Sequence, residues 1–127
     1  MFLHLLRMLL VGTALAGCAT NPYTHRHQLE LVPASQEQAM GVQAYSQVLH
    51  DPKVKISHDP REVEPVERVA ARIIKAAKAS QYAETAKAFE WQVSVIKDDK
   101  NQNAFALPGG KIAVYTGIVP VAQNEAG

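Results

Sequence analysis

A chain of 127 residues with 47% hydrophobic content has the material for one small domain with a real core and no room for two. Its 13 basic and 12 acidic residues are mixed along the chain, so no face carries the basic excess of a nucleic-acid footprint, and nucleic acid is excluded as an expected partner. A single cysteine, Cys18, excludes an intramolecular disulfide.

Residues 1–17 read as a signal peptide. Arg7 supplies the positive charge, 8–16 is apolar with small residues, and the run closes with Leu15-Ala16-Gly17-Cys18. The apolar run falls short of the ~20 residues of a membrane span, and its small-residue exit is that of a secretory signal. The last four residues resemble a bacterial lipobox, in which the cut falls before Cys18 and its thiol becomes a thioether to diacylglycerol. An ordinary secretory signal with an incidental cysteine is the alternative. Removal of 1–17 takes away Arg7 and no acid, leaving 12 bases against 12 acids and a mature formal charge of zero. Burial of each acyl CH₂ contributes about 0.8 kcal/mol, so several chains on Cys18 would hold the protein stably on a membrane. Ala19 stands where an Asp would mark inner-membrane retention in enteric-type lipoproteins. The expected location is therefore the cell envelope, at the periplasmic face of the outer membrane.

Residues 18–34 read as the lipidated Cys18 and a tether. Residues 21–27 lack apolar periodicity and include His25 and His27. Two histidines at i, i+2 lie on opposite sides of a helix, and no third ligand is near, so they read as solvated linker residues. Leu29, Leu31 and Val32 offer apolar surface that could dock on the domain that follows.

The domain is expected over 35–127. Ser35 and Gln38 fit a capping box, Met40, Ala44, Tyr45, Val48 and Leu49 form one apolar face, and Asp51-Pro52 stops the helix. A polar connection over 53–61 follows, with His50 and His58 as surface residues. A second helix is expected with Pro65 in its first turn, Glu62, Glu64 and Glu67 near its positive end, and Val66, Val69, Ala70, Ile73 and Ala77 as its buried stripe. Glu64 and Arg68 stand at i, i+4. The Ala-rich stretch 80–89 either extends this helix or forms a short one of its own. At Glu90 the period changes to 2: Trp91, Val93 and Val95 face one side of a strand, and Gln92, Ser94 and Ile96 the other. Residues 98–101 make a polar turn into a hairpin whose apolar runs, 104–107 and 112–115, flank Pro108-Gly109-Gly110. Pro108 presets the first corner of a type II turn and Gly109 the positive φ of the second.

The stretch Asn-Ala-Phe-Ala-Leu-Pro-Gly-Gly-Lys-Ile-Ala-Val-Tyr-Thr-Gly over 103–117 resembles the segment immediately before the zinc-binding helix in the gluzincin metallopeptidase family of HtpX and the CAAX prenyl protease. Within that family it is most similar to the periplasmic lipoprotein proteases of the LoiP and BepA kind. The lipobox, the run Gln28-Leu29-Glu30-Leu31-Val32, the Ser35 helix with Gly41 and the Trp91 strand fall in the family's order, so the likeness covers nearly the whole chain.

The resemblance implies a zinc-dependent endopeptidase. In such enzymes an HExxH helix gives two histidine ligands on one face, its Glu activates the zinc-bound water, and a later Glu completes the site. It also implies that the strand carrying Asn103, Ala104 and Phe105 borders the cleft, which makes these three the candidate substrate-binding residues. Read locally, Phe105 is equally a core residue and Asn103 a turn residue bonded to its own backbone. The implied substrate is a protein or peptide, with misfolded envelope proteins as one class.

The chain departs from the family pattern in one respect. No HExxH occurs, and the five histidines never stand at i, i+4. Asn124 is a suitable N-cap with Glu125 in a first turn, about where the family's zinc helix begins. The expectation is an N-terminal portion of the metallopeptidase domain, truncated before that helix, with no catalytic residue or metal ligand of its own, no zinc bound and no activity. The alternative is a short non-catalytic lipoprotein acting as a peptide-binding or interaction module. The expected fold is α+β: two or three helices packed on a small, mainly antiparallel sheet, an incomplete zincin-like domain.

Overall fold

The computed structural model describes the backbone of residues 18–20 and 27–29 and the whole of residues 32–127. The signal-peptide reading of 1–17, and His25 in the tether, lie outside the described residues. The chain divides into two units, 1–33 and 34–127. In the first, β1 (Cys18–Thr20) and β2 (His27–Leu29) pair antiparallel, Cys18 opposite Leu29 and Thr20 opposite His27.

The second unit is α+β. Helix α1 (Ala34–Leu49) begins one residue before Ser35. Its inward stripe is Gly41, Tyr45, Val48 and Leu49, and Met40 stands 57% exposed on the outside. Gly41 takes the inward place because the helix runs directly against the hairpin turn: a Cβ there would lie 2.2 Å from the Pro108 carbonyl oxygen.

Helix α2 (Pro60–Lys78) starts earlier than Pro65. Asp59 is its N-cap, the carboxylate accepting from the Arg61 N–H at 3.0 Å, and Pro60 holds the first-turn position that needs no donor. Pro65 lies inside the helix. Helix α3 (Ala83–Ala88) is separate, because the Ser80 hydroxyl donates to the Ala77 carbonyl at 2.8 Å and accepts from the Tyr82 N–H at 3.1 Å, closing the preceding helix.

Strands β3 (Gln92–Ile96), β4 (Ala104–Leu107) and β5 (Lys111–Tyr115) form a sheet in the order β3-β5-β4. β4 and β5 are the antiparallel hairpin, but β3 runs parallel to β5. The sheet is thus mixed where a mainly antiparallel one was expected. Chain order alone suggests pairing β3 with its successor; instead β5 takes the central slot, since it is apolar on both faces. The 53–61 connection also contributes, Ile56 bridging Ile96 and the Ser57 N–H donating to the Val95 carbonyl at 2.8 Å.

The hairpin turn carries φ +89° at Gly109, as its chemistry requires, and +80° at Gly110 as well. Gly110 has a second constraint: an added Cβ would stand 3.0 Å from Phe89 Cβ and from the Trp91 ring. Trp91 is held by its indole N–H, which donates to the Ala86 carbonyl at 2.8 Å. After β5 come a 3₁₀ turn (Thr116–Ile118) and the short α4 (Val119–Ala122).

The α1 face of the sheet is closed. Tyr45 is 2% exposed, Ala113 0% and Ile96 2%, with Phe105, Leu107 and Tyr115 packed around them. Tyr45 Oη donates to the Ile112 carbonyl at 2.8 Å and shares a hydrogen bond with the Ser94 hydroxyl at 2.7 Å. Burial pushes its phenol up, and the Ser94 bond partly opposes that.

Candidate functional site

Two features of the opposite face and its margin define the site: an open groove and an open strand edge. Val93, Ile112 and Val114 point away from α1 and, with Val66, Val69 and Ile73 of α2, line an apolar groove of about 360 Å³. Ile73, read from periodicity as part of the buried stripe, is 57% exposed on this groove. At this turn of the helix it is Ile74, with Ala70 and Ala77, that takes the more buried place.

β4 lies at the margin of the sheet, and among the described residues β5 is its one strand neighbour. The Tyr115 N–H donates to the Asn103 carbonyl at 3.0 Å, and the register pairs Ala104 with Val114, Phe105 with Ala113 and Ala106 with Ile112. Antiparallel pairs alternate between bonded and non-bonded. Asn103 and Phe105 therefore bond inward to β5, and the backbone N–H and C=O of Ala104 and Ala106 point to the open edge.

The three residues singled out for substrate have different surroundings. Asn103 and Ala104 are exposed, while Phe105 is half-buried and packs into the α1 core, its ring 6.2 Å from that of Tyr115. Asn103 Oδ1 accepts from the Ala104 N–H at 2.9 Å, so the side chain covers one of the outward-pointing donors. Ala106 has the same outward phase as Ala104, which becomes legible only once the pairing register is known.

The loop behind this strand is fastened by charge. Thr116, buried, donates to Asp99 at 2.6 Å and accepts from the Asp98 N–H at 2.9 Å. Lys97 Nζ pairs with Asp99 at 3.1 Å and with Glu62, which in turn accepts from the Ser57 hydroxyl at 2.5 Å. The Thr116 bond, then Lys97, holds the Asp99 carboxyl below its usual range, and Lys97 first, then Ser57, does so for Glu62.

No group of three or more His, Cys, Asp or Glu that could hold a metal ion occurs among the described residues. These residues do not fit a zinc ion. No helix among them is long and apolar enough to cross a membrane.

Sequence comparison places this geometry in a known family. Residues 60–127, from the Pro60 helix through both groove walls and β4, match the model of peptidase family M48. The chain is 33% identical over 129 aligned residues to the mitochondrial metalloendopeptidase OMA1 of Schizosaccharomyces pombe, covering 91% of this chain and 35% of that protein. Against OMA1 of Saccharomyces cerevisiae it is 25% identical over 124 residues, covering 87% of this chain and 36% of the relative. The chain thus spans about a third of the length of the relatives it matches. With the family match taking in α2, the mixed sheet and the groove between them, the chain belongs to peptidase family M48.

Proposed function

We propose that this chain is the front part of a lipid-anchored zinc metalloendopeptidase of the cell envelope, of the periplasmic lipoprotein kind, in which the open edge of β4 receives an extended peptide. The observation that carries the reading is the phase of β4. Ala104 and Ala106 present backbone donors and acceptors outward, and their methyl side chains leave room for a peptide to align by strand addition. Phe105 anchors the strand by filling the core behind it. Asn103 holds the Ala104 N–H when no peptide is there, and its exposed amide is free to turn to a peptide carbonyl.

The family resemblance implies that zinc chemistry is supplied by an HExxH helix, a motif that the 127 residues do not contain. The apolar groove beside β4 fits that arrangement, because an apolar trough of this kind needs cover. An edge strand accepts an extended chain without regard to side-chain sequence, which suits misfolded envelope proteins as substrates. The lipobox and Cys18 support membrane anchorage at the periplasmic face of the outer membrane; the named relatives are mitochondrial, and family membership does not fix the compartment.

The test is casein cleavage by the native protein extracted from its membranes. Activity abolished by a zinc chelator and restored by zinc is expected; cleavage indifferent to the chelator, or native protein without zinc, sinks the reading. The 127-residue chain alone is expected to bind no stoichiometric zinc and to leave casein intact. Ala106→Pro removes one outward N–H while leaving the β5 ladder whole. It should weaken peptide cleavage about tenfold, the effect of losing a single main-chain hydrogen bond of about 1.4 kcal/mol. Unchanged cleavage would remove β4 from the substrate site.

A further inference from the structure

The strand order imposes a crossing. β3 ends at Ile96 beside Tyr115, and β4 starts at Ala104 opposite Val114. With β5 between them, residues 97–103 pass across the end of β5, where that strand leaves the sheet as Thr116 and Gly117. Two strand spacings amount to about 10 Å, whereas the seven residues 97–103 extend to about 23 Å. The crossing therefore has slack, and whatever takes it up sets where β4 enters the sheet.

Three consecutive residues of the departing chain grip the crossing. The Tyr115 N–H donates to the Asn103 carbonyl at 3.0 Å, next to the start of β4. Thr116 is buried and uses its hydroxyl both ways, donating to Asp99 Oδ1 at 2.6 Å and accepting from the Asp98 N–H at 2.9 Å. The Gly117 N–H donates to the Asp98 carbonyl at 3.1 Å, which also accepts from the Asn101 N–H at 3.2 Å. Gly117 lets the two backbones touch, since an added Cβ would lie 2.4 Å from the Asn101 carbonyl oxygen. Lys97 reaches Asp99 from outside at 3.1 Å, but an exposed ion pair contributes little. Loss of the buried hydroxyl costs more, because it strips both a backbone donor and a carboxylate of a partner.

We propose that Thr116 is a positioning residue for the substrate strand: its hydroxyl pins the 97–103 crossing through Asp98 and Asp99, and so fixes where Asn103 and Ala104 enter the β4 edge. The peptide's place on that edge rests on the reading of β4 given above; the pin itself does not. Buried beneath the crossing, Thr116 acts through the loop alone.

Relaxation of the ¹⁵N amides in the full chain with Cys18→Ser reads the pin without metal or activity. Thr116→Val keeps the side-chain shape and loses the hydroxyl. The order parameters of the Gln102, Asn103 and Ala104 amides should fall from about 0.85 to below about 0.6, while those of Tyr45 and Ala113 stay rigid. A fold that is merely less stable would move none of them. Thr116→Ser should restore the rigid values. Asp99→Ala, at an exposed position, should lower the same three amides by less, and it answers the question should the valine variant not fold. Order parameters unchanged at 102–104, an equal fall at Tyr45 and Ala113, or a serine variant no better than valine overturns the proposal. In the native protein extracted from its membranes, Thr116→Val should raise KM for a peptide about threefold or more and keep kcat within about twofold. A fall in kcat at constant KM overturns the positioning role. A pin that passes by relaxation while cleavage is unchanged removes β4 from the substrate site and leaves the pin standing.

Discussion

The two faces of the β3-β5-β4 sheet are built from alternate residues of the same strands, yet one is sealed and the other, where Val95 alone is fully buried, is partly open. On the α1 side Ala113, Ile96 and Tyr45 are almost wholly buried, and a phenol closes two hydrogen bonds across the interface. On the α2 side, one residue over in each strand, Val93, Ile112 and Val114 line a groove. The difference is one of degree along the second face: α2 buries Val95 and Ala70 there, and beyond them Val93, Ile112 and Val114 line an apolar groove walled on its far side by residues 118–125.

Mutation should expose that asymmetry. Tyr45→Ala, on the sealed face, is expected to cost about 4 kcal/mol of unfolding free energy, through a large cavity and two lost hydrogen bonds. Ile73→Ala, on the groove, should change it by less than about 0.5 kcal/mol. Urea unfolding followed by Trp91 fluorescence measures both; comparable losses would show that the two faces are equally structural. Gly41→Ala comes next, at about 3 kcal/mol, because its Cβ would meet backbone at Pro108 that cannot step aside cheaply.

The smallest effect is on pH dependence. Hydrogen bonding to the Arg61 side chain, then to its backbone N–H, lowers the Asp59 carboxyl from 3.8 to about 2. A depressed carboxyl stabilises the fold above its unfolded pKa, and that stabilisation is lost as pH falls through the folded value. Asp59→Asn should therefore flatten the loss of stability between about pH 4 and pH 2, slightly, since the pair is on the surface. An unaltered acid limb would show that Asp59 caps α2 without contributing to acid sensitivity.

Local chemistry in the sequence was legible, and non-local chemistry was not. Pro108-Gly109 announced the turn, alternation announced β3, and the run 103–117 announced the family. Asn124, expected as a helix cap, closes a local turn instead: its Oδ1 accepts from the Ala126 N–H, and residues 124–126 form bend and turn. The starting point of α2 was misplaced because two prolines compete for the first turn, and Asp59 before Pro60 is the better cap. The parallel β3-β5 pairing, the Ile56 bridge and the ion pair of Arg68 with Glu125 join residues 19 to 57 positions apart, which no spacing rule reaches. Arg68 illustrates the limit. Helical spacing offers Glu64, while folding offers Glu125 in better geometry.

The strand order has a consequence for how the protein is made. Of the three strands of this sheet β5 is the last to leave the ribosome, but it occupies the middle. Until it arrives, β3 has only the short bridge from residues 55–57 on one side and an unpaired apolar edge on the other, the kind of edge that recruits other chains. The three-residue turn of the hairpin shortens that interval, since a local hairpin closes within microseconds and delivers β4 and β5 to β3 together. A slower turn at Pro108-Gly109 would lengthen the exposure of β3 without altering the finished fold.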